Sequence, residues 1–344
     1  MTINEYITEF AGLPVMEFLS PDLEAERLRV LRYRAQREGR PLPERLEPDA
    51  AYAAALADPG SVAWRLRTVG PNGKKPFEGC FARFLAEVDT TRVTALVVGS
   101  WSEYYEKPDA VPRDLLVESA GRFPALRSLF FGEFVLEESE ISWIEQCDVA
   151  PLVAAFPALE EFTVRGGMGL EFSAVRHEAL TSLTAQTGGL PEEAVAGILA
   201  SDLPALENLE LWLGVEDHGR TTTVDTLAPL LSGTALPALR SLGLRNAERT
   251  DDLVRALADA PVLGRLEVLD LSMGTLTDDG ARIIADSPGF RGLGRLDLRH
   301  HYLAEEGMAE RVRAALPGVE VDLGEPQDPG TDDVRDVYYP AVTE

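Results

Sequence analysis

The apolar positions of this chain fall into a phrase that is written four times. FPALRSLFF (residues 123–131), FPALEEFTV (156–164), LPALENLEL (203–211) and LPALRSLGL (236–244) each run apolar-Pro-Ala-Leu, two polar residues, then apolar-x-apolar. A strand shows its side chains alternately on two faces. The last two apolar residues of the phrase therefore point to one side, and the residues before, between and after them to the other. With the leucine of Pro-Ala-Leu as position 1, the frame starts at Val93, Leu126, Leu159, Leu180, Leu206, Leu239, Leu266, Leu293 and, with a weaker match, Leu316. Steps of 21 to 33 residues give a mean near 28. Between the frames lie helical patterns at Arg113–Arg122, Ile144–Phe156, Pro191–Ser201, Val224–Leu231, Asp251–Ala260, Asp279–Asp286 and Glu305–Ala315. Each has about three turns or fewer, too short to hold without a neighbour.

Punctuation agrees with this alternation. Thr250 and Thr277 stand at N-cap positions, each followed by two aspartates that suit the positive end of a helix. Pro124, Pro157, Pro204, Pro237, Pro261 and Pro317 follow the helices and stop them. Leu253, Leu257, Ile283 and Ile284 are expected to face the strand layer. Strand, helix, strand predicts an α/β fold: about nine parallel strands in one curved sheet, helices on the convex side, the form of a leucine-rich repeat solenoid.

Residues 1–90 precede the repeats. Residues 9–19 and 61–69 read as short strands and Phe77–Val88 as a helix. Between the strands, 21–59 reads as a surface insertion, amphipathic over Asp22–Glu38, then Pro-punctuated and Ala-rich. The expected organisation is an N-terminal cap (1–90), the solenoid (91–323) and an acidic tail (324–344). The tail carries four aspartates after Glu325, then Val337, Tyr338, Tyr339 and Val342, which predicts that it folds back and packs Tyr338 or Tyr339 near Leu316 and Leu323. VGPNGKKP (69–76) is a turn lacking the G-x-x-x-x-G-K-[ST] spacing of a phosphate loop.

The run from SVAWRL through FEGCFARFLAEVDTTRVTALVVGSW, the FPAL phrases and LSMGTLTDDGARIIADSP (271–288) together resemble a bacterial, mainly actinobacterial, family of cytoplasmic leucine-rich repeat proteins of the ribonuclease-inhibitor-like class. The resemblance runs from about residue 9 onward, implies the fold, and carries no catalytic residues. Two departures stand out: the 21–59 segment, and glycine (Gly167, Gly188, Gly214, Gly274) where the family has Asn or Cys at position 9.

On such a fold, positions 3, 5 and 7 face the concave side. Position 5 reads Val97, Phe130, Thr163, Thr184, Glu210, Gly243, Asp270, Asp297, Glu320; position 7 reads Gly99, Gly132, Arg165, Gln186, Trp212, Arg245, Ser272, Arg299, Asp322. Phe130, Arg165, Glu210, Trp212, Arg245, Asp270, Asp297 and Arg299 are the expected protein-binding residues, because exposed aromatic and arginine side chains anchor interfaces. The plainer reading is a solvated sheet face whose charges pair with one another.

Net charge changes the picture of the partner. At −26, the chain is ill suited to the phosphates of nucleic acid or the surface of an anionic membrane, so a protein partner, basic if charged, is expected. Cys80 and Cys147 have no paired spacing, and the first residues lack a signal-peptide pattern, which fits a reducing cytoplasm. His300 and His301 straddle a strand end and point apart, His177 and His218 have no nucleophile near them in sequence, and the acidic run 133–148 lacks a calcium-loop frame. No cofactor or metal is implied. The expected function is a non-enzymatic interaction scaffold. The alternative is an enzyme using Glu210, Asp270 and Asp297 as a carboxylate array for acid/base or metal-assisted chemistry.

Overall fold

The computed structural model describes residues 3–46, 49–68, 76–101, 111–332 and 335–343; the 69–75 part of the VGPNGKKP turn lies outside them. Twelve strands form one sheet in chain order: β1 (Glu9–Phe10), β2 (Leu13–Glu17), β3 (Ala63–Leu66), β4 (Ala95–Gly99), β5 (Ser128–Glu133), β6 (Glu161–Arg165), β7 (Ser182–Gln186), β8 (Asn208–Gly214), β9 (Ser241–Ala247), β10 (Val268–Asp270), β11 (Arg295–Asp297) and β12 (Glu320–Asp322). Every pairing from β2 to β12 is parallel; β1 turns back on β2 as an antiparallel hairpin. Ala11 and Gly12 make that turn, both with positive φ as a tight two-residue hairpin requires.

The sheet is longer than the frame predicts. Eleven parallel strands are present, and β2 and β3 come from the first 90 residues, which extend the ladder. The helices are α1 (Pro21–Arg37), α2 (Ala50–Ala57), α3 (Pro76–Glu87), α4 (Val111–Glu118), α5 (Ala150–Ala155), α6 (Glu192–Ala200), α7 (Ala228–Leu231), α8 (Thr250–Leu257), α9 (Asp278–Asp286) and α10 (Met308–Ala315). The Ala-rich half of the 21–59 segment is thus helical, with Asp49 capping α2 through the Ala51 amide.

One column of residues runs the length of the core: Met16, Trp64, Leu96, Leu129, Phe162, Leu183, Leu209, Leu242, Leu269, Leu296 and Val321 are register partners across successive strands. They point inward with the position-6 residues and share a core with Leu253, Val254, Leu257, Ile284 and Val312 of the helices. At β12 the register differs from the expected frame. Glu320 pairs with Arg295 and Asp322 with Asp297, so Glu320 occupies position 3 and Asp322 position 5. The Leu-Pro phrase recurs at 316–317, but one residue fewer separates it from its strand, so Leu316 is buried as the first residue of the phrase and does not start the frame.

Repeats are also stitched outside the ladder. Asp251 accepts from the amide and hydroxyl of Thr277, and Asp278, at the same place one repeat later, accepts from the amides of Ala304 and Glu305. Thr277 caps α9 as expected, through the Asp279 amide. Thr250 does not cap: it is the first residue of α8, and its hydroxyl donates to the Ala247 carbonyl and accepts from the Thr275 amide of the next repeat.

Leu269 is fully buried in the central column. Leu269→Ala is expected to lower stability by about 2–5 kcal/mol through lost contacts and the cavity left behind. Chemical denaturation of the two proteins checks it, and an unchanged midpoint would contradict the register.

Candidate functional site

The concave face divides into a covered part and an open part. Over β3–β5 the position-3 and position-5 residues Ala63, Ala95, Val97 and Phe130 form an apolar patch, with Arg65 and Ser128 at the other two such positions. The chain covers it with its own beginning: Ile7, Phe10 and Leu13 pack on the patch, and the Phe10 and Phe130 rings lie 6.0 Å apart. Polar contacts hold this strap. Arg65 makes a buried ion pair with Glu133 (2.5 Å), donates to the Ile7 carbonyl (2.5 Å), and Glu133 accepts from the Ile7 amide (2.9 Å). The Tyr6 ring lies against the guanidiniums of Arg65 and Arg67, and its hydroxyl donates to Glu138 at 2.6 Å. Burial and the Glu138 contact raise the Tyr6 phenol, and burial raises the Glu138 carboxyl.

Glu133 reaches this place because β5 carries a bulge: Gly99 pairs with Glu133, while Gly132, with φ of 95°, is the extra residue. A Cβ on Gly132 would lie 2.3 Å from the Arg165 carbonyl. Part of the acidic run at 133–148 is thus consumed inside the molecule.

Four of the expected binding residues are buried, which corrects their reading as exposed anchors. Phe130 is 2% exposed beneath the strap. Trp212 is 0% exposed: its indole N–H donates to Glu210 (2.6 Å), and the Arg245 guanidinium lies over its ring at 5.5 Å. Arg165 is 1% exposed, over the Phe130 ring at 5.1 Å, donating to the Gln186 side chain (2.9 Å) and the Phe134 carbonyl (2.7 Å). Burial pulls its guanidinium down to about 10, with the Glu133 charge opposing. Asp297 is buried too, in a clasp with Arg299.

That clasp belongs to a repeated device. Asp270 accepts the Ser272 amide (2.8 Å), Asp297 the Arg299 amide (3.1 Å) and Asp322 the Gly324 amide (3.0 Å). An aspartate at position 5 thus bonds the backbone two residues on and ends its strand. The signal is visible in the sequence as Leu-Asp-Leu-Ser, Leu-Asp-Leu-Arg and Val-Asp-Leu-Gly, each starting at position 4. The remaining charges pair along the columns: Arg245 bonds Glu210 (2.9 Å) and lies 3.3 Å from Asp270, and Arg299 lies 3.4 Å from Asp322. Burial raises the Asp270 carboxyl against the pull of Arg245. For Asp297 burial acts the same way, but the Arg299 guanidinium and amide outweigh it and hold the carboxyl below its ordinary value.

The three carboxylates read as an acid/base or metal array are therefore each engaged by a guanidinium, and among the described residues no group of three or more His, Cys, Asp or Glu could hold a metal ion. His300 and His301 bond opposite carbonyls, of Gly274 and Leu323. Among the described residues no helix is long and apolar enough to cross a membrane.

No protein-family model and no curated protein matches the chain. Among solved structures, a protein from Bacteroides fragilis superposes with a TM-score of 0.70 at 29% identity, over 88% of this chain and 84% of that one. The leucine-rich repeat-containing protein LegL7 from Legionella pneumophila aligns at 16% identity over 80% of this chain and 87% of that one (TM-score 0.44). An internalin from Listeria monocytogenes aligns at 16% over 80% and 63% (TM-score 0.37). With the position-4 column recurring every 27 residues from Leu242 to Leu269 to Leu296 in a parallel ladder, the architecture is decided. The chain is folded as a leucine-rich repeat solenoid.

On this solenoid the open part of the concave face spans β7–β12. Its solvent-facing side chains include Thr184, Asn208, Glu210, Arg295, Arg299, Glu320 and Asp322, with Arg245 and Asp270 half-buried among them.

Asp297 supplies a pH test. Its carboxyl lies below the ordinary value in the folded state, so its stabilisation is complete above about pH 4 and fades as pH falls through the folded value. Asp297→Asn is expected to cost about 1–3 kcal/mol at neutral pH and to flatten the loss of stability in acid. Melting curves from about pH 5 to about pH 2 check this; parallel declines in both proteins would contradict it.

Proposed function

We propose that this solenoid is a non-enzymatic scaffold that holds a protein partner on the open, C-terminal half of its concave face, in a bacterial cytoplasm, as the actinobacterial-type, ribonuclease-inhibitor-like resemblance implies. One observation carries the reading. The chain covers the apolar half of its concave face with its own strap and leaves the charged half uncovered, with its guanidiniums and carboxylates already fixed in position. Prefixed polar side chains lose little freedom on binding, which is what an interface needs. Of the binding residues expected from the sequence, Glu210, Arg245, Asp270 and Arg299 belong to this surface and Trp212 and Asp297 are buried within it; Phe130 and Arg165 lie in the covered half. The charge of −26 favours a basic partner.

The enzymatic alternative is weaker. Asp270 has the raised carboxyl of a general acid, but Arg245 occupies the space between it and Glu210.

Affinity capture from the native cytoplasm tests the proposal, comparing wild type with Thr184→Arg, a bulky charge on the first strand of the open face. A protein retained by wild type is expected to be lost from a variant that melts normally. Capture of the same protein by both would place the interface elsewhere.

A further inference from the structure

After β12 the chain forms a hairpin, β13 (Gly330–Asp332) with β14 (Arg335–Val337), and residues 338–343 then run on without regular secondary structure, with a bend at Ala341. This last stretch does not cover the open edge at Leu316 and Leu323, as its composition predicts. It crosses the rim where the strands end, travelling back toward the middle of the solenoid. The Tyr302 hydroxyl donates to the Tyr339 carbonyl (2.7 Å) and accepts from the Tyr339 amide (3.1 Å). The Ala341 amide donates to the Met273 carbonyl (2.8 Å). Asn246 grips Val342 with both ends of its amide, donating to the carbonyl (2.5 Å) and accepting from the N–H (2.9 Å). The Thr343 carbonyl lies against Gly188, 3.0 Å from where a Cβ would sit.

Two features set this apart from an ordinary tail contact. Among the described residues the five hydrogen bonds that hold the segment all go to its backbone, so they read main chain and not sequence. Val342, buried in the core, and Tyr338, edge-on to Tyr302 at 5.0 Å, are read as side chains. The second feature is the rim itself. Asn246, Met273, His300 and Glu325 occupy the same place in four successive repeats, all left-handed with φ of 54°, 67°, 60° and 58°. That conformation costs a non-glycine residue about 1–3 kcal/mol, and its recurrence, with Gly166 at the same place in an earlier repeat, makes it part of the turn that leaves each strand. Here the strained residues include the Asn246 side chain and the Met273 carbonyl that hold the segment. Asparagine is among the residues that tolerate this conformation best, and its amide completes a backbone pair much as a neighbouring strand would.

We propose that the rim formed by Asn246, Met273 and Tyr302 is a docking groove for a peptide segment of a protein partner, with an aliphatic side chain in the Val342 pocket, and that residues 338–343 are its resident competitor. Rim side chains make four of the five bonds to the main chain of the segment, so main-chain bonds supply affinity and one pocket supplies selectivity. A tethered occupant acts at an effective concentration of order millimolar, so a partner gains the groove only when the resident segment is released. The groove is separate from the open concave face, and either can fail without the other.

The test uses full-length chains and a fluorescein-labelled peptide of residues 337–343, VYYPAVT. Val342→Asp places a charge in the apolar pocket and expels the resident segment. Ala341→Pro is a second releasing variant, which removes the amide bonded to Met273 without burying a charge. Fluorescence anisotropy is expected to show the peptide binding either released variant at least tenfold more tightly than wild type. Adding Asn246→Ala, or placing Asp at the valine of the peptide, is expected to abolish binding. A folded released variant that binds the peptide no better than wild type overturns the proposal. So does a wild-type dimer that grows with concentration in light scattering, because the groove would then serve exchange of this segment between two copies.

Discussion

A single repeat of this chain cannot stand alone. Its strand of three to seven residues carries inward leucines with nothing to cover them and a row of amides and carbonyls with nothing to bond, and its helix is too short to form without a partner surface. Both needs are met only by the repeat before and the repeat after. The central column from Met16 to Val321 is the result: each member is covered by two others, so register errors anywhere propagate along the ladder. The aspartates and threonines that cross from one repeat to the next, Asp251 to Thr277 and Thr250 to Thr275, tie the helical layer to the same register.

A curved ladder creates two secondary problems, and the chain solves both with its own segments. An apolar concave patch at Val97 and Phe130 would favour association with other molecules, and the Tyr6–Phe10 strap removes it from water. The strap has a buried anchor, Arg65 with Glu133. Such a pair adds little net stability over an apolar replacement, but losing one member strands the other charge, so it fixes where the strap lies. The strand ends present outward backbone groups in left-handed residues, and the segment 338–343 bonds two of these positions. The two coverings differ in kind. The strap is held by an apolar patch, stacked rings and a buried ion pair, whereas the rim segment is held mainly through its own backbone, which makes it the more exchangeable of the two.

The solenoid was readable from the sequence because its cause is local and repeated. Pro-Ala-Leu followed by alternating apolar residues defines inward and outward faces without reference to anything distant, and the Thr-Asp-Asp starts mark α8 and α9. β3 and the helices α1 and α3 were legible for the same reason, although their membership of one continuous structure with the repeats was not. β12 was misframed by a single missing residue after Pro317, which only the pairing of Asp322 with Asp297 reveals.

The sequence by itself determined which residues point into the core and which point away, since that follows from a period of two along each strand. It did not determine which of the outward residues meet solvent. Phe130 and Trp212 have the same outward parity as Thr184 and Arg299, yet the first is covered by a segment some 120 positions earlier and the second by an arginine one repeat later. Asp270, Asp297 and Asp322 looked like surface charge and serve as strand ends, and Asn246, which no pattern in the sequence singles out, holds a segment 96 positions away. Exposure depends on what the rest of the chain lays over a face. That is a property of long-range packing, which no local pattern encodes and only the tertiary structure decided.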